Sequence, residues 1–133
     1  MTPKEFEDIA AEVFITCNRI LNKRKLVYSS GGDRLGNFKR AAQMTKGETP
    51  AKALVGMLKK QFVSILDYVD GNIPVDMGDI EEKIYDSINY LVLLMAIILE
   101  ERGWTSGTSI TGGYVSELGQ TQDVSQDKLE QSS

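Results

Sequence analysis

Two Thr-Pro pairs limit what this chain can fold into more than any other feature. Thr2-Pro3 and Thr49-Pro50 each stand directly before a long run of apolar residues at three- and four-residue spacing. A threonine oxygen satisfies one of the free N–H groups at a helix start. Proline suits the first helical position, where its missing N–H costs nothing. Glu5 stands three residues after Thr2, where a capping box needs it. The first stripe is Phe6, Ile9, Val13, Cys17, Ile20 and Leu21, and it predicts a helix ending in Asn22-Lys23-Arg24-Lys25. The second is Leu54, Leu58, Phe62, Ile65, Leu66 and Val69, with Gly71 as its stop.

Leu26 to Gly32 reads as a loop, and Asp33 as the cap of a short helix through Met44 with Leu35, Phe38, Ala41 and Ala42 inside. Asp79, with Glu82 three residues on, predicts the start of a fourth helix that Gly103 ends. Its expected core stripe is Ile84, Ile88, Leu91, Met95 and Ile98, with Leu93, Ala96 and Ile97 on the opposite side. A helix apolar on both sides must be covered on both sides, and three neighbours do not suffice. The expectation is a homo-oligomer assembled through the 81–102 helix. The fold expected is all-α: a four-helix bundle-like domain over 1–104 and a polar tail or arm over 105–133. That tail is rich in Ser, Thr, Gln and Gly.

Much chemistry is excluded at once. There is no histidine, so His-ligated metals, Ser-His-Asp triads and His bases are absent. The single cysteine, Cys17, sits on an apolar stripe and reads as a core residue, and one cysteine forms no internal disulfide. A reducing, cytoplasmic compartment is expected. The acidic N-terminus lacks the apolar segment of a signal peptide. The longest apolar run, Tyr90 to Leu99, is about half a membrane span, so no membrane partner is expected. The net charge is −4, yet Arg19, Lys23, Arg24, Lys25, Arg34, Lys39 and Arg40 face Asp33 alone between residues 19 and 40. Such a strip suits phosphates or an acidic partner, or is a solvated face.

The chemistry that remains rests on carboxylates. Glu82, Asp86 and Asn89 stand at i, i+4 and i+7 and share a helix face. Two carboxylates and a carboxamide there can hold a hydrated Mg²⁺ that bridges phosphate oxygens. Lys60, Ser64 and Asp67 repeat the spacing on the preceding helix, where Lys60 can meet a phosphate and Asp67 can share the metal. Polar residues at this spacing most often form nothing more than a solvated face.

Glu82-xxx-Asp86-xx-Asn89-Tyr90 before an apolar run resembles the closing signature of the phage-associated nucleotide-modification-associated domain proteins. Lys25-xx-Tyr28, Asn37-Phe38 and Lys59-Lys60 stand in similar order upstream, so the resemblance covers about residues 15–100. That group is distantly similar to the all-α NTP pyrophosphatases of the MazG and dimeric dUTPase type. The resemblance implies a phage protein of the host cytoplasm that takes a nucleotide or nucleoside triphosphate. In the hydrolytic form, Glu82 and Asp86 are catalytic. Glu82, Asp86 and Asp67 hold Mg²⁺, and Lys60, Arg34, Asn89 and Tyr28 bind ligand. The alternative is a catalytically inert protein that sequesters a nucleotide signal or inhibits a host defence protein. Carboxylates separate the two. The pyrophosphatases carry an acid pair on each of two helices, whereas here only Glu82 and Asp86 are secure and their spacing is four instead of three.

Overall fold

The computed structural model describes residues 1–25 and 32–107, and these form four helices and no strand. The helices are α1 (Pro3–Lys23), α2 (Gly36–Gln43), α3 (Pro50–Val69) and α4 (Met77–Glu101). The architecture is all-α and four-helix bundle-like. Two compact units divide the chain, Met1–Ile98 and Leu99–Ser133, so the division falls inside α4. The first unit holds the core and the polar contacts of α4. No described helix is long and apolar enough to cross a membrane.

Both Thr-Pro starts act as expected. Thr2 Oγ1 accepts from the Glu5 N–H at 3.2 Å while Glu5 Oε2 accepts from the Thr2 N–H at 2.6 Å, a reciprocal capping box. Those bonds hold the Glu5 carboxyl below its usual range, the Thr2 backbone bond first. Thr49 Oγ1 accepts from the Lys52 N–H at 3.1 Å. Gly71 closes α3 at φ +73, a left-handed position that costs a glycine little.

The other two starts differ from expectation. Asp33 does not cap α2. It accepts from the Leu35 N–H at 2.9 Å and pairs with Lys39 at 2.6 Å, which holds its carboxyl below the usual range, and the helix begins only at Gly36. Asp79 does not cap α4 either. Asp76 Oδ1 accepts from the N–H groups of Gly78 and Asp79, so the helix starts at Met77. Asp33 thus forms an Asx-type turn that competes with capping, whereas Asp76, three residues before the expected cap, is itself the cap of α4.

Phe38 and Leu54 are the largest fully buried side chains. With Leu35, Leu93 and Ile97 they make the core, and Leu21, Ala51, Tyr90, Leu94 and Ala96 pack on it. The core therefore joins the end of α1, all of α2, the start of α3 and the later half of α4. This overturns the expected orientation of α4. Leu93 and Ile97 face inward, while Ile84, Leu91 and Met95 are exposed. Both faces of α4 are apolar, and spacing alone does not rank them. The choice fell to the face that also carries Asp86 and Asn89.

Truncating Leu54 to Ala should destabilise the fold by about 2–5 kcal/mol in urea unfolding, because it opens a cavity where the side chain has no exposure. Leu91→Ala, on the outward face, should cost well under half as much at concentrations where the chain is monomeric.

Candidate functional site

The polar residues of α4 separate by burial. Asp86 and Asn89 are each 7% exposed, and Ser87 is buried, whereas Glu82 is exposed. Ser87 answers its own burial by donating to the Lys83 carbonyl at 2.7 Å, one turn back. Asp86 needs a partner from another element. It finds Arg24, the C-cap residue of α1, whose Nη1 donates to Asp86 Oδ1 at 2.7 Å. Arg24 Nη2 lies 4.0 Å from Glu82 Oε1, so one guanidinium serves two carboxylates a helical turn apart. Cys17 lies close enough to feel the Asp86 charge. Burial, and then that charge, push its thiol above the usual range.

Asn89 differs from its neighbours. Its Nδ2 is buried and has no hydrogen-bond partner among the described residues. A buried donor left unmade costs roughly 1–3 kcal/mol, so native chains keep few of them. It sits one turn from Asp86 on the same face, so the unused donor is next to the Arg24 pair.

The remaining expected residues are distributed as follows. Arg34 comes to the end of α1, where its Nη2 donates to the Leu21 carbonyl at 2.9 Å. Lys60 is exposed on α3 and contributes its carbonyl to Ser64 at 3.2 Å. Asp67 accepts from Asn72 Nδ2 at 3.5 Å at the end of α3. It does not gather with Glu82 and Asp86, and no three acidic or cysteine side chains among the described residues are placed to hold a metal together. Lys60 and Asp67 project from the side of α3 away from Leu54 and Leu58, which is why their spacing does not bring them to Asp86. Tyr28 lies outside the described residues. Of the expected set, Glu82, Asp86 and Asn89 share one face, and Arg24 joins them. Arg24 was legible only as one of several cations at a helix end. The signal that would have singled it out is the burial of Asp86, which demands a cation.

A second polar contact ties α3 to α4. Tyr68 donates to Asp79 Oδ2 at 2.6 Å, and that bond, with the Asp79 and Asp76 charges, pushes its phenol up to about 12. A shallow depression of about 480 Å³ also lies along early α3, lined by Glu48, Ala51, Lys52, Val55, Gly56 and Lys59.

Compared with protein-family models, with curated proteins and with solved structures, the chain matches none.

Two titrations follow. The Tyr68 phenol should ionise near pH 12 by absorbance, and Asp79→Asn should return it toward 10. Because the folded value is raised, the contribution of this bond to stability is full below about pH 10. It is lost as pH climbs through 12. Cys17 should react with a thiol reagent only after unfolding, since it is buried and its thiol is raised.

Proposed function

We propose that this chain is a nucleotide-binding protein that holds its ligand through phosphate at the Arg24, Glu82, Asp86 and Asn89 face and does not turn it over. The observation that carries this is the Asn89 carboxamide, buried beside an ion pair with donors to spare. A protein that retains such a cost at one place usually uses the group there. An N–H donor next to a guanidinium suits a phosphate oxygen or the carbonyl of a base.

Mg²⁺ fits this face only in company. Glu82 and Asp86 offer two carboxylates, which is what Mg²⁺ takes when substrate phosphates and water complete its shell. They do not make an all-protein site. When bound with a nucleotide, the ion would neutralise phosphate charge. Arg24, released from part of its pairing, would turn to the phosphates. Two carboxylates fall short of the four converging acids that water activation on the pyrophosphatase pattern would use, so binding without hydrolysis is the stronger assignment. Lys60 and Asp67 take no part in this proposed face. A phage origin and a cytoplasmic setting accompany the same proposal, supported by the order of residues from Lys25 to Tyr90.

A thermal-shift series with nucleoside triphosphates, deoxynucleoside triphosphates and cyclic dinucleotides tests it, each with and without Mg²⁺. A nucleotide with Mg²⁺ at a hundredfold its Kd should add about 2.7 kcal/mol. Mg²⁺ alone should add nothing. Asn89→Leu should abolish the nucleotide shift while its ligand-free midpoint holds or rises, because the unmade donor is gone. No shift with any nucleotide, or a full shift in Asn89→Leu, rejects the assignment. Pyrophosphate release would replace binding with hydrolysis.

A further inference from the structure

The core covers only part of each long helix. On α1 it takes Cys17 and Leu21 but leaves Phe6, 62% exposed, and Ile9 on the same stripe. On α3 it takes Ala51, Leu54 and Leu58 but leaves Phe62, Leu66 and Val69, the last 74% exposed. The cause is α2. Eight residues span about 12 Å, against about 30 Å for α1 and α3, so the fourth position of the bundle is filled at one end only.

We infer that a second copy of this chain fills the rest, packing on Phe6 and Ile9 of α1 and on Phe62, Leu66 and Val69 of α3. Both half-stripes lie beside the first half of α4. Tyr68 at the end of α3 bonds Asp79, and Arg24 at the end of α1 pairs with Asp86 and approaches Glu82. The two stripes therefore open on a common region. At their observed exposures these five side chains present on the order of 500 Å² of apolar surface. That equals the apolar share of the roughly 800 Å² one partner gives to a stable interface. None of the five is charged, and Glu5, Glu12, Lys59 and Asp70 border them within a turn. A purely apolar stripe is complementary to itself, which is what a two-fold interface requires. Obligate interfaces of this kind resemble a core cut in half, and here the core visibly stops halfway along the helices.

The inference is independent of nucleotide binding and is tested without ligand. Light scattering on the full chain should give at least twice 14.7 kDa at micromolar concentration. The double variant Phe62→Glu with Leu66→Glu should return the mass to the monomer, raising the dissociation constant at least about a hundredfold, with helical circular dichroism retained. Lys46→Glu, in the turn before α3, should leave the mass unchanged. A wild-type monomer overturns the inference, and a monomer that floats with neutral lipid vesicles assigns the face to a membrane surface instead. Retention of the wild-type mass by the double variant also overturns it, as does a mass lowered by Leu91→Glu alone, which would move the interface to the outward face of α4.

Discussion

The shortness of α2 governs this molecule. Phe38 on α2 and Leu54 on α3 fill the centre of the core, and Leu35, Leu93 and Ile97 gather around them. Eight residues cannot carry that core further along helices of 20 to 25 residues. Where α2 ends, α1 and α3 continue with their apolar stripes uncovered. Burial of apolar surface is the main favourable term in folding, so an uncovered continuation of a core stripe is a demand for a partner.

Where the apolar core gives out along α4, polar contacts take over. Asp86 and Asn89 lie on the same face as Leu93 and Ile97, one and two turns earlier. Arg24 reaches Asp86 because α1 ends close by, and Tyr68 bonds Asp79 a further two turns down. These are directional contacts between partly covered groups. They align α1, α3 and α4 where apolar packing no longer does so, and the buried Nδ2 of Asn89 has no partner among the described residues. Structural alignment and the proposed ligand face therefore draw on the same residues. Removal of Asp86 would disturb both, whereas replacement of Asn89 separates them.

Much of the fold could be read directly. Thr2 and Thr49 announce α1 and α3 by local chemistry that needs no tertiary partner, and both caps form with the expected bonds. Gly71 and Gly103 end helices for equally local reasons, at φ +73 and +80. Asp33 misled because an aspartate can serve a loop turn as readily as a cap, and Asp79 because Asp76, three residues earlier, takes the capping role. The site was less legible. Glu82, Asp86 and Asn89 stood out by spacing, but the same spacing raised Lys60 and Asp67, which the fold keeps apart from them. Arg24 had no distinguishing local mark.

The sequence by itself determined the class of fold, the starts of the two Thr-Pro helices and the absence of histidine and disulfide chemistry, because these follow from short-range geometry and from residue types. Tertiary structure alone decided which apolar face of α4 turns inward, since both faces have the same period. That decision buried Asp86, Asp86 then selected Arg24, and the outward stripe of Ile84, Leu91 and Met95 was left uncovered by the chain's own helices. Periodicity fixes that a face exists. Only the packing of one helix against another fixes which face is used, because that depends on volumes and distances between residues far apart in the chain.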